Sequence, residues 1–115
     1  GLFAVSALYR TRAFAFAASA SGSLWFDGWS AYMRAHQPLA DVSAVYLSLG
    51  KREEESRSAR LAAVGDCTRK AEALLRSQAH RVVLEMNEGG HFQDVTARMA
   101  RAVDWLCRAE SNRED

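Results

Sequence analysis

The chain predicts an α/β fold on a small parallel sheet, about three strands alternating with helices. Three observations predict it. Short apolar runs recur at residues 13–18, 42–49 and 81–86, as strands covered on both faces require. Between them lie stretches whose apolar residues repeat with the helical period. Glycine or proline marks the changes of pattern, at Gly22, Pro38, Gly50 and Gly89-Gly90.

Residues 1–10 read as a helix, with Leu2, Phe3, Ser6, Ala7 and Arg10 in its rhythm. It begins without a capping residue or polar loop, so the chain is expected to enter in mid-element. Residues 13–18, alanine and phenylalanine without charge, form the first strand and run into the loop Ser19-Ala20-Ser21-Gly22-Ser23, followed by Leu24-Trp25-Phe26. Asp27 or Gly28 starts a short helix through Trp29, Tyr32 and Met33 that ends before Pro38. Residues 42–49, from Val42 to Leu49, make the clearest strand, stopped by Gly50. The charged residues 51–60 lead into a long helix. In it Leu61, Val64, Ala71, Leu74 and Leu75 share a face opposite Arg69, Lys70, Glu72 and Arg76. Residues 81–86 are the third strand, and Val95, Met99, Val103 and Leu106 mark the last helix. One domain thus spans residues 1–110, and 111–115 form a polar frayed tail. So narrow a sheet would leave an edge of unpaired amides and exposed apolar side chains. It is therefore expected to belong to a larger doubly wound sheet.

Composition excludes several classes of function. The chain has 115 residues, 49 % hydrophobic and 25 % charged, the make-up of one packed domain. Its net charge is +1, and thirteen of its fifteen basic residues are arginines scattered among acidic neighbours. No nucleic-acid partner is expected. Cys67 and Cys107 lie in separate helices without a ligand spacing, so both are expected as reduced, inert thiols. No apolar run approaches the roughly 18 residues of a membrane span. Arg10, Arg12 and the stretch 13–20 faintly resemble a secretion signal, but the apolar part is short and diluted by alanine. His36, His80 and His91 are not spaced as a metal-ligand set, and neither metal nor cofactor is implied.

In an open parallel sheet, functional groups gather beyond the carboxyl ends of the strands. Three loops qualify: residues 19–26, 50–55 and 88–92. They offer hydroxyls beside an aromatic wall, then carboxylates, then a histidine. Gly89-Gly90 loosens the backbone so that His91 can project from the end of a strand as a proton-shuttling base. Such a base needs an orienting carboxylate on its other ring nitrogen, which Glu53, Glu54 or Glu55 could supply. Acid before histidine is the order of the α/β-hydrolase triad.

Gly1-Leu2-Phe3-Ala4, the run from Ala18 to Trp25, Tyr46-Leu47-Ser48-Leu49-Gly50 and Gly89-Gly90-His91 together resemble an esterase family of α/β-hydrolases. The family includes esterase D, the mycolyltransferases and the ferric-siderophore (enterobactin-type) esterases, and the likeness is closest to the last branch. The resemblance covers residues 1 to about 107. It implies the C-terminal part of a doubly wound hydrolase sheet and a serine esterase acting on small-molecule carboxylic esters, siderophore-type esters among them. It implies His91 as general base and an acid in the loop after Gly50. Glu53, third after that glycine, is preferred to Glu54, although some members of the branch work with a serine–histidine pair alone. Ser23 and Trp25 would border the substrate pocket. The family's G-x-S-x-G elbow is missing. Gly1 stands at or just after its last glycine, so the nucleophile is expected upstream and the chain alone is expected to be inactive. The competing expectation is a truncated, non-catalytic α/β protein that binds or oligomerises, forming a homodimer through its open sheet edge. Compartment stays open, with the cytoplasm favoured.

Overall fold

Runs of small and β-branched apolar residues become strands here, and parallel pairing sets where each begins and ends. The structure is a computed structural model and describes residues 1–55 and 57–114. The elements are α1 (Leu2–Arg10), β1 (Phe16–Ala20), α2 (Trp29–Ala35), β2 (Val42–Gly50), a 3-10 turn (Lys51–Glu55), α3 (Ala59–Ala62), α4 (Val64–Gln78), β3 (Ala79–Asn87) and α5 (Val95–Glu114). The strands form one parallel sheet in the order β1-β2-β3, so the fold is α/β, with strands alternating with helices. β1 pairs with β2 from Phe16↔Ala44 to Ala20↔Ser48, and β2 with β3 from Val42↔Ala79 to Gly50↔Asn87.

Stepwise strand order with right-handed crossovers sends α2 and α4 to the same side of the sheet. There Val45 and Leu47 of β2 meet Val5, Leu8 and Tyr9 of α1, Trp29 and Met33 of α2, and Ala71 and Leu75 of α4. This is the apolar core, and β2 at its centre is buried along almost its whole length. Tyr9, Trp29 and Tyr32 form a ring cluster in it, with centroids 5.5 to 6.1 Å apart.

The other face is covered by α5, which lies over β1 and β2. That face is polar. Arg101 Nε donates to Glu85 Oε1 at 2.6 Å and its Nη2 to Asn87 Oδ1 at 2.5 Å. The Tyr46 hydroxyl donates to Glu85, and the Tyr46 ring packs on Trp105 at 5.8 Å. Burial, reinforced by Glu85, pushes the Tyr46 phenol up to about 12. Among the described residues no helix is long and apolar enough to cross a membrane.

Several boundaries differ from the expectation. β1 starts at Phe16 and takes in Ser19 and Ala20, both expected in the loop, because the register against β2 holds as far as Ser48. The long helix expected after the charged stretch is α4, with Leu61 set apart on the short α3, and the charged stretch itself opens as a 3-10 turn. Leu61, expected on the inner face of that helix, is exposed on α3. The stripe Val95, Met99 and Val103 faces outward, and Arg98, Ala102 and Ala109 face the sheet. A polar sheet face selects the arginine and alanine side of the helix and leaves the apolar side in solvent. Residues 111–114 of the expected tail continue α5. Ser56, within the charged stretch, and Asp115, the last residue of the expected tail, lie outside the described residues.

Candidate functional site

Gly50 ends β2 and opens the 3-10 turn, and Glu53 reaches back to it. The Gly50 N–H donates to Glu53 Oε1 at 2.8 Å, the return half of a capping box. That contact turns the Glu53 carboxylate inward, where its side chain is only 6 % exposed. Its neighbours point elsewhere. Glu54, 35 % exposed, takes Arg69 Nη1 at 2.7 Å and lies over Gly65 of α4. Glu55, 66 % exposed, pairs with Arg52 at 3.5 Å. Of the three candidate carboxylates, Glu53 is the one beside the histidine.

His91 arrives from β3 through Gly89-Gly90. Gly89 has φ +93°, which a residue with a side chain rarely adopts. Its carbonyl accepts the Arg52 N–H at 3.0 Å, which ties the histidine loop to the Glu53 turn. A Cβ on Gly50 would stand 2.5 Å from that same carbonyl oxygen, so only glycine lets the two strand ends approach this closely. His91 Nδ1 lies 3.2 Å from Glu53 Oε2. With that nitrogen engaged, the imidazole keeps Nε2 for other work, and the half-exposed ring packs edge-on against Phe92. Ser23 and Trp25 line the same cleft of about 560 Å³ as His91, with Arg52, Leu61 and Val64 closing its far side. A smaller cavity of about 250 Å³ lies beyond the Phe92 and His91 wall, lined by Ala20, Val95 and Met99.

Two site residues escaped the sequence reading. Ser21, at φ +50° just past β1, donates its hydroxyl to Glu53 Oε1 at 2.5 Å. Arg98, only 3 % exposed, donates through Nη2 to Ser21 Oγ at 2.5 Å and to Ser48 Oγ at 3.3 Å. Its Nη2 is 3.7 Å from Glu53 Oε1, and its Nη1 donates to the His91 carbonyl at 3.4 Å. The signal for Arg98 was its place in line with Ala102 and Ala109. Small residues at helical spacing identify a face that can approach a sheet closely.

Among the described serines, Ser19 is buried, Ser6 donates within α1, and Ser21 donates to Glu53. Asp66 lies exposed in the first turn of α4, near Arg69. His80 pairs with Asp41 at 2.8 Å, and His36 with the Tyr32 carbonyl at 2.9 Å, both away from the cleft. Among the described residues no three histidine, cysteine or acidic side chains are grouped to hold a metal. The chain matches no family model, no curated protein and no solved structure.

Proposed function

We propose that the chain carries the base and acid of a serine esterase, with the nucleophilic serine supplied by polypeptide preceding Gly1. The observation that carries this reading is His91 Nδ1 on the buried carboxylate of Glu53, beside an open cleft. In such a pair the carboxylate fixes the Nδ1–H tautomer and stabilises the imidazolium that forms during the reaction. His91 Nε2 takes the proton of the serine hydroxyl as its oxygen attacks the ester carbonyl. It then returns the proton to the departing alcohol, and water repeats the cycle on the acyl-enzyme. Gly1 also supports the reading. It packs against Gly22 at the carboxyl end of β1, so a residue ahead of it would enter beside the cleft. Ser23 and Trp25 border the substrate, a small-molecule carboxylic ester, with siderophore-type esters as one class to try.

The test is hydrolysis of p-nitrophenyl esters by a polypeptide extended through the residues that precede Gly1. His91→Ala should lower kcat by about 10⁴-fold or more, and Glu53→Ala by a comparable factor. Hydrolysis indifferent to His91→Ala removes the reading. The chain of 115 residues alone should give no stoichiometric adduct with a serine-directed fluorophosphonate. An adduct on Ser19, Ser21 or Ser23 would contradict the upstream nucleophile.

A second reading, a non-catalytic oligomerising module, is favoured by one observation. Val95, Met99 and Val103 lie exposed on the flank of α5 opposite Arg101, which reaches β3. The stripe therefore overhangs the outer side of β1, which pairs with no further strand among the described residues. A second copy related by a two-fold axis would cover stripe and edge together. Sedimentation at micromolar concentration separates the readings, because a well-folded monomer removes this one.

A further inference from the structure

We infer that Arg98 is a positioning residue that holds the His91–Glu53 pair in register, acting on the carboxylate through Ser21 and on the histidine through its backbone. This rests on the proposed roles of Glu53 and His91. A guanidinium that is 3 % exposed is costly to bury, and this one is not fully repaid, since its Nε has no hydrogen-bond partner among the described residues. The same helix carries Val95, Met99 and Val103, which could have faced the sheet and instead lie in solvent.

The position of Arg98 gives its burial a purpose. Its Nη2 donates to Ser21 Oγ at 2.5 Å, and that hydroxyl in turn donates a hydrogen bond to Glu53 Oε1, also at 2.5 Å. The charge stands 3.7 Å from the same carboxylate oxygen. Oε1 is thereby occupied by Ser21, the Gly50 N–H and the nearby cation, which leaves Oε2 for His91 Nδ1. From the other side Nη1 grips the His91 carbonyl at 3.4 Å. One rigid fork thus sets both the oxygen that faces the imidazole and the loop that presents it.

Arg101, three residues on, supplies the control. It also joins α5 to the sheet, through Glu85 and Asn87, but touches neither Glu53 nor His91. The experiment is a long-range ¹H–¹⁵N correlation of the labelled 115-residue chain at about pH 8, above the ordinary histidine range. The expected wild-type spectrum shows His91 in the Nδ1–H tautomer. Arg98→Gln should move His91 to a tautomer mixture, whereas Arg101→Gln should lower Tm and leave the tautomer as it was. In the extended polypeptide, Arg98→Gln should lower kcat by up to about 100-fold with little change in KM, the order of loss that a misplacement of about 1 Å brings.

A folded Arg98→Gln chain with the wild-type His91 tautomer overturns the inference. So does an Arg101→Gln chain that shifts His91 equally, or a wild-type chain already in a mixture. If Arg98→Gln does not fold, Ser21→Ala decides, because it cuts the same link and leaves Arg98 its bonds to Ser48 and the His91 carbonyl. Failure of the esterase reading is separate. It appears as ester hydrolysis indifferent to His91→Ala, whatever the tautomer does.

Discussion

Gly50 shows how one residue without a side chain can hold two functional ones in place. Its N–H anchors Glu53, and its bare Cα lets the Gly89 carbonyl come close enough to accept from Arg52. Gly50→Ala should destabilise the chain by about 1–3 kcal/mol, since the obstructing groups are two backbone carbonyls and a buried carboxylate, none of which can move aside easily. Urea titration of the two chains checks this, and an unchanged midpoint would mean that the strand ends separate freely. Glu53 itself was legible as the third residue after the glycine. Its partners were not. Ser21 reaches Glu53 across 32 positions and Arg98 reaches Ser21 across 77, and no local pattern encodes contacts of that range.

At the scale of elements, α5 departs most from its sequence pattern. Its apolar stripe marks the helix correctly but does not say what that side meets, because a stripe reports only that one side is apolar. The sheet face it meets presents Tyr46, Ser48, Glu85 and Asn87, and the helix satisfies them by turning Arg98 and Arg101 inward. Two predictions follow from that choice. Ala102→Leu, on the buried side, should cost about 1–3 kcal/mol through overpacking. Met99→Ser, on the exposed side, should change monomer stability by less than about 0.5 kcal/mol. Thermal melts of both variants at low concentration decide between this orientation and one with the stripe against the sheet.

Tyrosines on the two faces of the sheet make stability fall at high pH. Burial pushes Tyr9 up to about 12, with Tyr32 adding to the effect, and burial with Glu85 does the same for Tyr46. Both values lie above the ordinary 10, so the unfolded chain loses these protons first. The stabilisation is whole below pH 10 and is lost as pH rises towards about 12. Denaturant midpoints should therefore decline across that window, and Tyr9→Phe with Tyr46→Phe should flatten the decline. A midpoint equally steep in the double variant would assign the loss to other groups.

α1, α2 and α4 close an apolar core over β2, while β1 and β3 are both edge strands among the described residues, and the exposed flank of α5 adds an apolar stripe beside β1. An added strand beside β1, from the same polypeptide or a second copy, would bury the β1 edge and the stripe together. Replacing Val95, Met99 and Val103 together by serine should leave the fold intact and abolish any self-association of the 115-residue chain seen by sedimentation. Association that survives the replacement would move the interface elsewhere.

Periodicity by itself determined the α/β class, the order of strands and helices, and the gathering of Ser, Glu and His loops at one end of the sheet. Those properties depend on nearest neighbours along the chain and on the handedness of crossovers, which sequence patterns carry. Tertiary structure alone decided how Glu53 is turned to meet His91, that β1 extends to Ala20, and that α5 turns Arg98 and Arg101 inward. The first depends on a backbone N–H three residues away folding one carboxylate under. The other two depend on what the partner strand or sheet face presents, and that information lies dozens of residues distant in the chain.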